Sequence, residues 1–553
     1  MWVFLSMRIY PKKKPNYIFI SGGVLSGLGK GITTASIGLI LKSKGFKVTA
    51  IKIDPYINFD AGTLRPTEHG EVWVTEDGGE IDQDLGHYER FLGEKLSKNH
   101  NITTGQVYYA VITRERAGSY LGKTVQPIPH ITDEIKRRIT TLAEKEGVEF
   151  VLIEIGGTVG DYENVLFLEA ARQMRYEGRR VLFIHVSYLP VLGSTGEMKT
   201  KPTQHSVKAL QGLGIQPDFI ICRSEQELDA PRREKIALFC SVNSEDIIAN
   251  PDVKNIYEVP LKLDEQKIGD KILNKFALKA KKSDLSDWNK FVEKMNNATK
   301  EVKIGIVGKY FDVGKYELHD SYISVIEAIK HAAGANDVQP KMMVIDAKDF
   351  EEKESKLKIL NGVDGIIVPG GFGSGGVEGK ILAIKYARVN EIPFLGLCFG
   401  FQLAVVEYAR NVCGLEDANT TEVDSGTKIP VVDFLPWQKE LIKQSKYGAT
   451  MRLGAQVIRI KKNTLAWKLY GNDRVVERFR HRYEINPKYI NEFETHGFIF
   501  SGESEKEEGI MQIGELPEYK HKFFIGTQAH PEFTSRPLKP NPLFNGFIRA
   551  SIR

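Results

Sequence analysis

Along the first half of the chain, short and almost wholly apolar runs alternate with stretches whose apolar positions recur at helical spacing. Residues 17–21 (YIFIS), 48–53 (VTAIKI), 150–155 (FVLIEI), 181–186 (VLFIHV) and 219–222 (FIIC) show little polar alternation, the mark of strands buried on both faces. Between the first two, residues 31–44 carry apolar side chains three and four apart and end at Gly45, a natural helix terminator. Strand, helix, strand with continuous apolar strands predicts an α/β fold built on a parallel sheet.

The pattern breaks at 277–301, a polar, charge-dense stretch with little to bury beyond Leu285, Trp288, Phe291 and Val292. It then resumes with 302–307 (VKIGIV), 365–368 running into Pro-Gly-Gly, and 393–397. The expected organisation is a leader over 1–15, a first domain over 16–283, a linker over 284–301 and a second domain over 302–553. Residues 415–480 lack a clear period and predict loops and an excursion from the sheet. No internal repeat or low-complexity tract is evident.

Composition narrows the class. A chain of 553 residues with 42% hydrophobic and 27% charged positions is neither disordered nor fibrous. Length alone suggests three or four domains at about 150 residues each. The net charge of +5 is too small to imply nucleic acid. No apolar run reaches the about 18 residues of a membrane helix. Met1 to Leu5 precede Lys12, Lys13 and Lys14, the wrong order for a secretory signal, so the leader reads as disordered, with Met7 as an alternative start. Cys222, Cys240, Cys398 and Cys413 are too scattered for a disulfide framework or a CxxC zinc site, which points to the reduced cytoplasm.

Chemistry concentrates at two places. The first is Ser21-Gly-Gly-Val-Leu-Ser26-Gly27-Leu28-Gly29-Lys30-Gly31, between a strand and a helix. Its glycines let backbone amides turn toward an anion at the positive end of the helix, and Lys30 can reach β and γ phosphates. The spacing is one residue longer than G-x-x-x-x-G-K-[ST], and Gly31 stands where a hydroxyl is usual. A nucleotide there needs Mg²⁺ and carboxylates. Glu154 is an acid at the carboxyl end of an otherwise apolar strand, where α/β sheets bind ligands. Asp84 lies in the acidic stretch 82–89, otherwise a solvated loop. Lys52 ends the second strand. Lys199-Thr200-Lys201-Pro202-Thr203-Gln204-His205 offers cations, hydroxyls and an amide to a polyanion with an amide-like base, and equally fits a surface loop.

The second place is Gly396-Leu397-Cys398-Phe399-Gly400-Phe401-Gln402, again between strand and helix. G-x-C-x-G at such a turn is the thiol form of the nucleophile elbow, where a helix N-terminus favours thiolate. His530-Pro531-Glu532 follows the strand-like run 523–527 and supplies a base with a carboxylate to orient it. The run from Pro369 to Gly373 could offer amides for an oxyanion. Residue types alone therefore reach ATP-dependent amidation.

The long motifs go further. The second half resembles class I glutamine amidotransferases, through Gly371, the Cys398 elbow and His530 with Glu532. The first half resembles the synthetase domain of the CTP synthase family, through SGGVLSGLGKG, IKIDPYIN, HGEVWVTEDGGEIDQDLGHYERF, EIGGTVGDYE and GEMKTKPTQHSVK. This implies two Rossmann-like parallel-sheet domains, a P-loop amidoligase followed by a glutaminase, converting UTP to CTP with ATP and glutamine. By the same resemblance, Ser26 to Ile32 with Lys30 and Lys52 hold ATP, and Asp84 and Glu154 bind Mg²⁺. Ser26, Asp161, Tyr162, Glu163, Lys199 to Gln204, and Lys235 line a site shared by UTP and the inhibitor CTP. Gly371, Phe399 to Gln402, Glu422 and Arg482 meet glutamine.

The family reaction phosphorylates the 4-oxygen of uracil and displaces phosphate with neutral ammonia, which implies an enclosed passage from the thiol site. The resemblance also implies GTP as an allosteric activator and a homotetramer, some members forming filaments. Gly375 departs from the arginine usual in the loop associated with GTP, and Pro251 falls at a variable position near the adenine contacts. Two rival readings compete: another P-loop amidoligase fused to a glutaminase, such as one amidating cobyrinic acid, and a partitioning-type ATPase. The KTKPTQHS segment opposes the first, and the Cys398 elbow has no purpose in the second.

Overall fold

The computed structural model describes residues 14–65, 69–193, 196–309, 312–313, 316–317, 319–371, 373, 375–443 and 451–552. The leader expected over 1–15 lies outside them except for Lys14 and Pro15, as does Phe372 of the 369–373 run. The chain divides into two compact units, one holding residues up to Asp60, His87–Glu94 and Asn99–Ser286, the other Ala61–Gly86, Lys95–Lys98 and Asp287–Arg553.

The first unit is a seven-stranded sheet in the order Ile247–Pro251, Phe219–Ser224, Arg180–Tyr188, Asn16–Gly22, Phe150–Ile155, Val48–Asp54, Asn101–Thr103. Every neighbouring pair is parallel. The apolar runs of the sequence are its central strands, buried from end to end because helices cover both faces. Helix Lys30–Ser43 follows the first strand directly and buries Ile37, Ile40 and Leu41.

The second unit carries a nine-stranded mixed sheet. Its parallel part runs Gln339–Asp346, Glu301–Gly308, Gly365–Val368, Phe394–Leu397, Phe524–Thr527. Four antiparallel strands extend it: Met511–Glu515, Ile499–Ser504, Arg452–Ile460 and Arg474–His481. The irregular stretch 415–480 is thus only partly an excursion, since two of its strands join the sheet, and charged residues interrupting their apolar pattern hid them. The stretch expected as a linker over 284–301 holds a helix, Ser286–Asn297. Of its four apolar residues, Trp288, Phe291 and Val292 are buried and Met295 is half-buried, which suffices to dock one helical face.

Residues 61–86 precede the thiol elbow by some three hundred positions yet pack within the second unit. Trp73, fully buried, lies 4.9 Å from the Phe533 ring and 5.3 Å from the Arg478 guanidinium. Glu80 pairs with Arg480 at 2.8 Å, and the Ala455 amide donates to the Glu76 carbonyl at 2.8 Å. No helix among the described residues is long and apolar enough to cross a membrane.

Candidate active sites

In the second unit, strand Phe394–Leu397 hands over to helix Phe399–Asn411 through Cys398, whose φ of 52° is left-handed. That conformation costs a β-carbon-bearing residue about 1–3 kcal/mol and is held by its surroundings. The Cys398 amide donates to Thr527 at 2.7 Å. Gly400 must lack a side chain, because a Cβ there would stand 1.9 Å from the Val368 carbonyl. The Cys398 thiol donates to the Arg480 carbonyl at 3.7 Å, and its sulfur accepts from the Gln528 amide at 3.6 Å.

His530 lies against the same sulfur. A Cβ on Gly370 would stand 3.1 Å from His530 Cε1 and 3.5 Å from Cys398 Cβ, so three backbones converge on one point. The imidazole donates from Nδ1 to Glu532 Oε1 at 2.7 Å and stacks on Phe533 at 5.2 Å, leaving Nε2 without a formed hydrogen bond. Burial opposes its charged form, but the Cys398 sulfur and the Glu532 carboxylate outweigh burial and raise the His530 pKa well above its ordinary value. A thiol, an imidazole free at Nε2 and an orienting carboxylate are the parts of a cysteine hydrolase. They line a cavity of about 70 Å³ with Glu71, Tyr322, Gly370 and Gly371.

The residues expected to meet glutamine divide into two groups. Gly371 lines the cavity. Glu422 accepts the Gly373 amide at 3.1 Å, and burial raises its pKa against the pull of Gly373, Lys309, Arg482 and Lys380. The side chains of Phe401 and Gln402 are spent on the interior. Phe401 fills the space over Gly526, and Gln402 donates to Tyr483 O at 2.8 Å and Gln528 Oε1 at 3.1 Å. Two lysines flank Phe399, with Nζ of Lys309 and Lys380 at 5.6 and 5.5 Å from its ring. Burial lowers Lys380 to about 7 and Lys309 to about 8. Lys380 is wholly enclosed, its ammonium without a hydrogen-bond partner.

The first unit holds the phosphate-loop residues. Gly27 and Gly29 have φ of 73° and 75° in open space, while residues 24–27 are exposed and Leu28 turns into the core. Gly31 and Ile32 continue the helix that Lys30 begins. Lys30 folds over Gly22 and donates to the Gly157 carbonyl at 3.0 Å. Lys52, buried, stands 3.5 Å from both Glu154 and Asp54, and Glu154 also accepts from Tyr88. Asp84 opens helix Asp84–Leu92, and its first turn groups with the second unit.

The pyrimidine candidates sit on three elements of the first unit. Asp161 accepts from the Thr158 amide and hydroxyl, each at 2.7 Å, while Tyr162 is 94% exposed and Glu163 is exposed. Thr200 precedes helix Lys201–Gly212, Pro202 lies in its first turn, and Gln204 donates back to Thr200 at 3.1 Å. Thr203 is buried, Lys199 pairs with Glu197, and Lys235 is exposed on helix Ala230–Cys240. Sequence reasoning missed Glu71, Tyr322 and Arg480 in the thiol cavity, since only the docking of 61–86 brings the first of them there. It also missed Lys309 and Lys380, ordinary lysines in sequence.

Comparison with known proteins accords with both halves. Residues 16–278 match the family described as CTP synthase N-terminus, and 317–550 match glutamine amidotransferase class I. A CTP synthase of Thermococcus gammatolerans is 56% identical over 537 residues, covering 97% of this chain and 98% of that one. One of Methanocaldococcus jannaschii is 55% identical over 547 residues, with 97% and 98% covered. Among solved structures, the glutaminase domain of Trypanosoma brucei CTPS with bound acivicin is 36% identical, with a TM-score of 0.41, covering 45% of this chain and 93% of that one. At that level of identity over nearly the whole length, the chain belongs to the CTP synthase family, glutamine-hydrolysing ligases that aminate UTP to CTP at the expense of ATP.

Proposed function

We propose that the two sites divide the family reaction as follows. At the elbow, the Cys398 thiolate attacks the carboxamide carbon of glutamine, and the Gly370–Gly371 amides receive the oxyanion. The carbon–nitrogen bond breaks as His530 gives its proton to the departing nitrogen, and water then hydrolyses the thioester with His530 as base. Glu532 holds the ring throughout. Glu422 receives the α-ammonium of glutamine and Arg482 its carboxylate, with the backbone of Phe399 to Gln402 as the floor of that site. The observation that carries this reading is the left-handed Cys398 beside an imidazole whose other nitrogen is already committed to Glu532.

In the first unit, Ser26 to Ile32 cradle the ATP phosphates, and Lys30 leaves the Gly157 carbonyl for the transferring phosphoryl group. Lys52 neutralises the charge that develops there. Asp161 to Glu163, Lys199 to Gln204 and Lys235 take UTP, with CTP competing for the same place. The uracil 4-oxygen gains the γ-phosphoryl group and ammonia displaces it as inorganic phosphate. Mg²⁺ fits the donors present, since Glu154 is a buried carboxylate and the buried hydroxyls of Thr33 and Thr34 have no hydrogen-bond partner. Glu154 would help to hold the ion, which when bound neutralises phosphate charge.

GTP acts as activator in this reading, weakened by Gly375. The assembly is a homotetramer, supported by Tyr109 and Ile112, 64% and 55% exposed on helix Thr104–Arg116. The compartment is the cytoplasm, where the four unpaired thiols stay reduced. Incubation with UTP, ATP, Mg²⁺ and glutamine should generate the cytosine absorbance of CTP. Turnover of ATP without that product would refute the assignment.

A further inference from the structure

One histidine of the first unit lies outside the machinery described. His185, with no exposed surface, sits in strand Arg180–Tyr188 directly beside Ser21 of the first strand. Its Nδ1 is 3.0 Å from the Ser21 hydroxyl, and its Nε2 is 2.7 Å from the Ser206 hydroxyl on helix Lys201–Gly212. Ser21 is the last residue with a side chain before Gly22 and Gly23 turn into the phosphate loop. Ser206 lies in the helix that residues 199–204 begin.

The bridge has the chemistry of a fixed strut. Burial, reinforced by the Lys30 charge, pushes the imidazole down to about 3, so it is neutral at physiological pH. A neutral ring has one donor and one acceptor, and two hydroxyls, each able to play either part, satisfy it completely. The loop backbone rests on this strut with no gap: a Cβ on Gly23 would stand 1.5 Å from Ser206 Oγ and 2.7 Å from His185 Nε2. The loop therefore cannot move toward the helix at Gly23 unless Ser206 shifts with it. A second tie runs alongside, from the Ser187 hydroxyl to Thr203 Oγ1 at 2.9 Å and from Thr203 to the Tyr188 carbonyl at 3.1 Å.

We propose that His185 is a positioning residue that locks the phosphate loop to the pyrimidine-binding helix, so that occupation of either nucleotide site favours the other. The proposal rests on the assignment of residues 26–32 to ATP and 199–204 to UTP. Binding of a non-hydrolysable ATP analogue to the full-length enzyme, with and without saturating UTP, tests it. UTP should tighten the analogue about five-fold or more in the wild type, the range of typical site coupling. In Ser206→Ala and His185→Gln the factor should fall to within about two-fold of unity, with glutamine hydrolysis in the absence of nucleotides unchanged. A strut that merely stabilises the fold would lower the melting temperature and leave the factor intact, and that result overturns the proposal. So does a wild type without coupling. Should His185→Gln fail to fold, Ser206→Ala, which removes one hydroxyl, carries the test alone. CTP formation from UTP, ATP and free ammonia, measured beside it, reports on the assignment itself: a wild type that forms CTP while Ser206→Ala keeps full coupling refutes only the role of His185.

Discussion

The thiol elbow and the phosphate loop are both glycine-framed turns from a parallel strand into a helix, yet they are built for opposite purposes. At the elbow, everything is closed. Cys398 is buried, Gly400 is pressed onto Val368, and His530 is fixed by Glu532 and Phe533. At the phosphate loop, Gly27 and Gly29 face open space, residues 24–27 are exposed, and Lys30 is parked on a carbonyl. A nucleophile and its base must be pre-set to a fraction of an ångström, and so the protein makes them part of its core. A polyphosphate brings its own charge and shape, and the loop needs only backbone freedom and a mobile cation to receive it.

Substitutions can break this contrast. Cys398→Ala should reduce glutamine-dependent CTP synthesis at least about 10³-fold while synthesis from added ammonia persists. Equal loss of both activities would mean that the two sites are not separable. Glu532→Gln should lower glutamine hydrolysis by about 10²- to 10⁴-fold, because an amide donating to Nδ1 forces the wrong tautomer on His530. It should also move a pH limit. The raised pKa of folded His530 gives stability that is full below its unfolded value of about 6.5 and lost as pH rises through the folded value. Without the carboxylate, that loss should begin at lower pH, as melting temperature against pH will report.

Lys30→Ala should cost about 10²- to 10³-fold in CTP synthesis from either nitrogen source and leave basal glutamine hydrolysis untouched. The glycines sharpen the comparison further. Gly400→Ala should destabilise by about 3 kcal/mol through overpacking, whereas Gly27→Ala meets nothing and should cost only the about 1–2 kcal/mol of its left-handed backbone. Similar losses in calorimetry would show that the loop is as closed as the elbow.

A further effect concerns Lys380. Its folded pKa, depressed to about 7 chiefly by burial, means that charging it opposes folding fully below that value and not at all above its unfolded value of about 10.4. Lys380→Met should therefore raise the melting temperature at pH 6, and the gain should vanish toward pH 10. A gain independent of pH would assign the effect to packing rather than charge.

Much of this was legible beforehand, and for physical reasons. Five of the seven parallel strands announce themselves because burial on both faces demands unbroken apolar runs, whereas the two edge strands, Ile247–Pro251 and Asn101–Thr103, do not stand out as such runs. The elbow and the phosphate loop do so because tight turns demand glycine within a few residues of the reactive side chain. Strands Arg452–Ile460 and Arg474–His481 escaped notice since charged residues interrupt their apolar pattern, although the two pair with each other across a short connection. The helix within 284–301 was obscured by its polar majority, although three apolar residues at helical spacing were enough to bury it.

What the sequence determined by itself is local: where strands end in glycine, which side chain follows, and so which chemistry is available. Tertiary packing alone decided which distant pieces share a site. Only folding carries Glu71 and Glu80 to the glutaminase unit, encloses the ammonium of Lys380 beside Phe399, and sets His185 between two serines. Those placements depend on the summed burial of hundreds of side chains, and no short window of residues encodes such a sum.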